Sequence, residues 1–218
     1  MPRTITVKGV GTASTKPDQI VISLNISAKA KEYSLSVDNA NERIARLQSA
    51  VGSVGFAKEA LKTLSFNVRT DYESYHDKNG EYRKRFMGYV CDYRLKLAFD
   101  MDAKRLAETL DAISSSKADA QLSISFTVKN PGRISDELLR SAAEDARRKA
   151  EILCAASGVK LGDLLSVDYN WGEITFVSES NYAMMDALYY AGPKAAAPEF
   201  EPEDIESRDT AAFVWEII

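Results

Sequence analysis

A chain of 218 residues with 45% hydrophobic and 28% charged side chains is long enough to bury a proper core, and reads as an ordinary soluble globular protein of one domain, or one domain plus an appendage. Its net charge of −4 excludes a general nucleic-acid binder, which needs a basic balance or a long basic face. No stretch approaches the ~20 apolar residues of a membrane-spanning helix, and the opening MPRTITVKGVG lacks the apolar run of a signal peptide, so the chain as written is expected in the cytoplasm, or in the periplasm or cell envelope if a leader has been removed.

The first strand is expected from Thr4 to Val10, where it meets Gly9-Val10-Gly11. A dinucleotide-binding fingerprint would need a third glycine and a helix immediately after it. A strand follows instead: Ile20, Ile22, Leu24, Ile26, Ala28 and Ala30 alternate with mostly polar residues between Asp18 and Lys31, so the glycines are expected to form a turn or bulge. Ser34 or Ser36 is placed to cap a helix in which Val37, Ala40, Ile44, Leu47, Val51 and Val54 recur every three or four residues up to Gly55. That is the pattern of a helix lying on a sheet.

Two alternating stretches, Leu61 to Tyr75 and Tyr82 to Phe99, flank Asn79-Gly80, the preferred two-residue hairpin turn. Counting outward from that loop, Lys78 opposes Glu81, Tyr72 opposes Met87, Val68 opposes Cys91, Phe66 opposes Tyr93 and Leu64 opposes Leu95. The other face then pairs Ser65 with Arg94 and Asn67 with Asp92, and a one-residue slip would bury charge. At ~3.3 Å per residue the arms would reach roughly 50 Å, so part of the hairpin is expected to project.

The expected tip, around residues 72–87, gathers Tyr72, Tyr75, Tyr82, His76 and Arg83-Lys84-Arg85. Stacking and phosphate contact would suit a nucleic acid, but the net charge opposes it, and a projecting strand edge carries charge to avoid aggregation. One histidine in a turn beside Asp77 and Glu81 is no metal shell. Contact with another copy of the chain is the expected use of the arm. Cys91 and Cys154 are too few for a disulfide framework and lack metal-ligand spacing, and read as buried packing residues.

Beyond the hairpin, Asp102 caps a helix with Ala103, Leu106, Leu110 and Ile113 inward, ending at Ser114-Ser115-Ser116. A strand follows with Leu122, Ile124, Phe126 and Val128 on one face. Next comes the best-defined element, NPGRISDELLRSAAEDARRKAEILCAASG at 130–158, with Asn130 as cap, Pro131 at the first helical position and Gly158 as left-handed stop. Leu138, Ala142, Ala146, Ala150 and Leu153 form its apolar stripe, widened by Leu139, Ala143 and Cys154. Glu144 with Arg148, Asp145 with Lys149 and Arg147 with Glu151 stand at helical spacing on the outer side. Leu165, Val167, Tyr169 and Trp171 suggest another strand. Residues 179–206 lose periodicity and read as a long surface loop, in which Met184, Met185, Leu188, Tyr189 and Tyr190 seek a partner surface. Thr210 to Ile218 closes the chain as a strand with Phe213, Trp215 and Ile217 on one face.

Taken together, ITVKGVGTASTKPDQIVISLNISAKA, FMGYVCDYRLKLAFD, AAEDARRKAEILCAASGVKLGDLLSV, the Met/Ala/Tyr/Pro-rich segment and the final apolar strand resemble the SIMPL domain family over nearly the whole chain. That family includes a bacterial oxidative-stress-defence protein and a periplasmic immunogen of pathogens. The resemblance implies an α+β fold, here expected as one domain over 1–218 with three helices on one face of a curved, largely antiparallel sheet and a long projecting hairpin. It also implies a tendency in some members to form large homo-oligomers, and it brings no catalytic residues. Where relatives carry Pro-Gly before the last strand, this chain has Pro202-Glu203-Asp204.

No nucleophile, base and orienting group stand in a recognisable set, and no cofactor, metal or small-molecule ligand is indicated by the residues. The leading expectation is a non-enzymatic self-assembling protein, with Tyr72, Tyr75, Tyr82, Met184, Met185, Tyr189 and Tyr190 as candidate self-association residues. The rival readings are a small-ligand binder or enzyme whose site is not readable from sequence, and a nucleic-acid adaptor using the basic tip.

Overall fold

A computed structural model describes residues 3–169, 174–184 and 201–218. Among them are three helices and eight strands in two antiparallel sheets, an α+β fold with neither sheet closed. In chain order these are β1 (Thr4–Thr15), β2 (Gln19–Ala30), α1 (Tyr33–Ser53), β3 (Leu61–His76), β4 (Tyr82–Asp100), α2 (Ala103–Ser115), β5 (Ala120–Thr127), α3 (Pro131–Ala156), β6 (Leu161–Asp168), β7 (Val177–Met184) and β8 (Ile205–Ile217). The chain falls into two compact units, one drawing on Met1–Asp18, Thr127–Glu179 and Pro202–Ile218, the other on Gln19–Phe126 and Ser180–Glu201.

In the first unit a three-stranded sheet, ordered β1-β8-β6, carries α3. Strands β1 and β8 pair without a break from Thr4↔Glu216 to Thr15↔Ile205, and the buried alternate residues Val7, Ala211, Phe213 and Trp215 pack on Ala146 and Ala150 of α3. A second cluster joins Ala13, Ile134, Leu138, Phe176 and Ile205. Helix α3 starts as its sequence demands, the Asn130 side chain accepting the Arg133 N–H at 3.4 Å, and stops at Gly158 with φ +69°. Its buried stripe contains Leu138, Ala142, Ala146 and Ala150, but ends on Cys154. Leu153 is 48% exposed; the buried residues keep a step of four along the whole helix, from Ile134 to Cys154, and Leu153 falls outside that row.

Gly9 and Gly11 correct the expected turn. Both lie inside an unbroken β1, directly beneath α3, where a Cβ at Gly9 would stand 2.0 Å from the Ala142 carbonyl oxygen and one at Gly11 2.1 Å from that of Leu138. Their role is to let helix backbone meet strand backbone. The small residues of α3 are the other half of that approach.

Asp145 fastens the same seam. Expected on the wet side of α3, its side chain is only 17% exposed; Oδ2 accepts the Val10 N–H at 2.9 Å and pairs with Lys149 at 2.6 Å, while Oδ1 accepts from Arg148 at 2.6 Å. Arg148 thus turns to Asp145 rather than to Glu144, whereas Arg147 pairs with Glu151 as its spacing suggests. Lys149 first, and then the Val10 amide, lower the Asp145 carboxyl from 3.8 to about 2.

The second unit is built on a five-stranded sheet ordered β3-β4-β2-β5-β7. Ile20, Ile22, Leu24, Ile26 and Ala28 of β2, with Cys91, Leu95, Leu97 and Phe99 of β4 and Leu122, Ile124 and Phe126 of β5, meet Ala40, Leu47 and Val51 of α1 and Leu106, Leu110 and Ile113 of α2. Asp102 caps α2 by accepting the Arg105 N–H at 3.0 Å, with Ala103 exposed rather than inward. At α1 neither expected serine caps. Glu32 holds the cap position without a side-chain bond, and Ser36 is buried, its hydroxyl donating to the Tyr33 carbonyl at 2.7 Å. Strand β7 also corrects the expected loop over 179–206, which yields a strand at its start, and β8 begins at Ile205, five residues before the expected Thr210.

The β3–β4 register is Ser65↔Arg94, Phe66↔Tyr93, Asn67↔Asp92 and Val68↔Cys91, as turn and alternation require, but Tyr72 faces Phe86 and Thr63 faces Leu95. The tip explains the first shift. Instead of a two-residue loop, Asp77 N–H donates to the Glu81 carbonyl at 2.9 Å and Gly80 N–H to that of Asp77 at 2.9 Å, closing three residues with Gly80 at φ +81°. A second irregularity between Asp71 and Tyr72 restores the expected register inward.

The α3–β1 seam makes Gly9→Ala and Ala146→Leu each destabilising by roughly 1–3 kcal/mol, since neither backbone can retreat without unpacking the unit. Arg147→Ala, on the solvent side, is expected within about 0.5 kcal/mol; chemical denaturation measures all three. Because the folded Asp145 pKa lies below its unfolded value, its stabilisation is present above about pH 4 and fades as pH falls toward 2. Asp145→Asn should therefore flatten the acid limb of a stability-versus-pH curve over that interval. Cys91 is 0% exposed and its thiol is raised by burial and then by Asp92, so a thiol reagent should label it only as fast as the sheet opens.

Candidate functional site

Two surfaces of the second unit stand out, one aromatic and one polar. The aromatic surface is the hairpin arm. Strand β2 pairs with β4 only as far as Ala30↔Tyr89, so from Asp71 and Gly88 outward the hairpin pairs with itself alone among the described residues. Gly88 makes the departure possible: its φ is +136° and a Cβ there would lie 2.2 Å from the Ala30 carbonyl oxygen. Lys29 and Asp71 form an ion pair at the same level, which together with other nearby groups holds the Asp71 carboxyl below its ordinary range, the Lys29 hydrogen bond being the largest cause.

From this root a row of rings runs along the arm. Tyr33 of α1 meets Tyr89 at 5.9 Å between centroids, Tyr89 meets Phe86 at 5.4 Å and Phe86 meets Tyr72 at 5.7 Å, each edge to face. Tyr72 and Phe86 are still 52% and 47% exposed, and Tyr82 is 62% exposed. Of the candidate residues, Tyr72 belongs to this row, whereas Tyr75 lies under the Arg85 guanidinium at 5.9 Å and Tyr82 beside His76 at 5.9 Å. The sequence pattern missed Tyr33, Phe86 and Tyr89. Phe86 would have been found by counting a three-residue loop, but Tyr33 reaches the row from another element and leaves no local signal. The Met184 side chain, Met185, Tyr189 and Tyr190 lie outside the described residues, as does Trp171.

The tip is tied by its own charges. Asp77 accepts the N–H groups of Asn79 at 2.9 Å and Glu81 at 3.1 Å and the Arg83 Nε at 2.6 Å. Arg83 first, then the Asn79 amide, keep its carboxyl low. Arg85 pairs with Glu73. The two arginines of the basic run are thus matched by carboxylates of the same hairpin, and no group of three or more His, Cys, Asp or Glu able to hold a metal occurs among the described residues.

The polar surface is the other face of the sheet. The two registers place Asn67, Asp92 and Ser27 in one cross-strand row and Ser65, Arg94 and Asn25 in the next, all on the side away from the apolar residues that meet α1 and α2. These rows floor a groove of about 740 Å3, completed by Ser114 at the end of α2 and by Lys117, Asp119 and Gln121 of the turn into β5. The turn is constrained: Lys117 and Asp119 both sit at φ +52°, Arg46 of α1 donates to the Lys117 carbonyl at 3.3 Å, and Arg43 pairs with Asp119 at 2.8 Å. Asp92 is paired with Arg69 at 3.1 Å. Among the described residues no histidine or cysteine lines the groove, and the side chains that do line it offer hydrogen bonds and charge.

Comparison with known proteins places these features in context. The sequence profile of the SIMPL family, described as a protein of unknown function, matches residues 5–215. A 26 kDa periplasmic immunogenic protein of Brucella melitensis is 24% identical over 166 residues, covering 76% of this chain and 66% of the relative, so the matched stretch spans just under two thirds of that protein. The uncharacterized protein YggE of Edwardsiella ictaluri is 22% identical over 98% of this chain and 86% of its own. YggE of Escherichia coli K12 is likewise 22% identical, over 98% of this chain and 82% of its own.

Proposed function

Because the chain belongs to the SIMPL family, whose common name assigns no activity, its role is argued from its own surfaces, and we propose that it is a non-enzymatic protein that works by assembling with copies of itself. One observation carries the reading: the ring row Tyr72–Phe86–Tyr89–Tyr33 is continuous along a projecting arm, yet its outer members stay about half exposed. Aromatic residues are enriched at interface cores, and covering such a row gains roughly 25 cal/mol per Å2 of apolar area.

Backbone supports the same surface. Strand β3 is the outermost of its sheet, and its arm residues are almost all exposed, so a strand from a second copy has N–H and C=O groups to pair with. The arm's matched charges, Arg83 with Asp77 and Glu81 and Arg85 with Glu73, favour a protein partner over a polyanion, which would have to displace carboxylates. The Brucella relatives are named periplasmic, and we place the assembly of this chain in the periplasm or cell envelope on that likeness.

Sedimentation tests the reading. Glu73 and Arg85 are a cross-strand pair, so removing Ser74–Lys84 and joining them through Asn-Gly shortens the arm without shifting register. The wild-type chain should sediment as an oligomer and the shortened one as a smaller species, with Tyr72→Ser/Phe86→Ser weakening association in the full-length arm. A wild-type monomer at tens of micromolar, or a folded short-arm protein of unchanged mass, would sink the proposal.

A further inference from the structure

We propose that the polar groove on the outer face of the five-stranded sheet binds a small polyhydroxylated oxyanion, of the chemical class of sugar acids and sugar phosphates. This site is separate from the aromatic arm and does not depend on self-assembly.

Its volume of about 740 Å3 lies within the ~300–1,000 Å3 usual for small-molecule sites, but such sites are mostly apolar, and this one is not. The floor is made by side chains that both donate and accept, Asn25, Ser27, Ser65 and Asn67, which match the dual hydrogen bonding of a hydroxyl-rich ligand. Ile26, Tyr93, Ile113, Ala118 and Ala120 also line the groove, but polar surface predominates, so hydrogen bonding rather than apolar burial would carry the affinity.

Charge then selects the ligand's sign. Both carboxylates of the groove are engaged by arginines, Asp92 by Arg69 and Asp119 by Arg43. Arg94 and Lys117 line the same groove, and neither forms an ion pair among the described residues. Arg94 stands between Ser65 on one neighbouring strand and Asn25 on the other, with no carboxylate opposite it. A guanidinium so placed offers a two-pronged donor suited to a carboxylate or phosphate, flanked by amide and hydroxyl groups for the hydroxyls of the same ligand.

The groove is also built to hold its shape. Arg94 and its flanking residues lie on paired strands, and rigid elements position a site better than loops do. Lys117 is on a turn, but one held by three restraints: Arg46 on the Lys117 carbonyl, Arg43 on Asp119, and the Ser116 hydroxyl, which accepts the Ala118 N–H at 3.2 Å and donates to the Ile113 carbonyl at 2.6 Å. Two non-glycine residues at φ +52° occupy the left-handed region that L side chains rarely adopt, and such strain gathers at ligand sites. The strained residues here are Lys117, which supplies the second cation, and Asp119, which anchors the turn to α1.

Isothermal titration of the full chain with glucose 6-phosphate and gluconate, and separately with glucose and inorganic phosphate, decides the matter. The expected result is saturable binding of at least one hydroxylated anion at roughly millimolar affinity or better, with glucose and phosphate each about tenfold weaker, since each keeps only half of the recognition. R94Q should weaken the binding about tenfold, R94K should recover part of it, and K117Q should weaken it less. Arg94 is exposed, so these variants are expected to keep the wild-type denaturation curve. Absence of saturable heat from both hydroxylated anions, phosphate alone binding as well as glucose 6-phosphate, or an R94Q affinity within twofold of wild type would each overturn the assignment.

Discussion

Where α3 crosses β1, helix backbone lies against strand backbone, and the first unit is arranged to permit it. The 2.0 Å that would separate a Gly9 Cβ from the Ala142 carbonyl oxygen leaves no room for any side chain, so the strand must be glycine there and the helix must be alanine. That closeness lets the side chain of Asp145 reach over to the Val10 amide at 2.9 Å. The hydrogen bond in turn fixes where along α3 the strand sits. Larger residues flank the seam, with Phe213 and Trp215 stacked 5.5 Å apart on β8 and Ile134 and Leu138 toward the start of the helix. The alanine stripe and the two glycines are therefore one feature seen from two parts of the chain.

The hairpin of the second unit follows a different rule, in which local departures cancel. Asp77 accepts two backbone N–H groups and so stabilises a loop one residue longer than Asn79-Gly80 would make alone. Left uncorrected, the slip would have turned every inner side chain to the wrong face. The bulge between Asp71 and Tyr72 removes it, next to Gly88, whose left-handed-side φ lets β4 pass the end of β2. The same short region thus resets the register, ends the pairing with β2 and releases the arm, placing Phe86 rather than Met87 opposite Tyr72.

Inward of that reset, the register delivers the polar rows on which the groove is floored. Ser65 with Arg94 and Asn67 with Asp92 were legible as cross-strand pairs, because alternation carries over any number of residues once the phase is right. Their meaning was not legible. That Ser27 and Asn25 complete the rows depends on β2 lying beside β4, and the groove wall depends on a turn some ninety residues downstream. A site assembled from β2, β3, β4 and the turn into β5 has no motif, since beyond the β3–β4 hairpin its parts need no fixed spacing in the chain.

Periodicity, caps and breakers act over a few residues, and so the chain read alone specifies its helices, most of its strands and the hairpin, with Asn130, Gly158 and Asp102 as the clearest boundaries, while the α+β class comes from the family resemblance. The same local logic erred at Gly9 and Gly11, where glycine served a neighbour well over a hundred residues away rather than a turn, and at Leu153, which is exposed while Cys154 takes the buried position. Strand order, the division into two sheets, the ring row joining Tyr33 to Tyr72 and the pairing of every groove carboxylate arise only on folding. Each depends on which distant residues meet, and that is set by the packing free energy of the whole unit rather than by any segment's own preference.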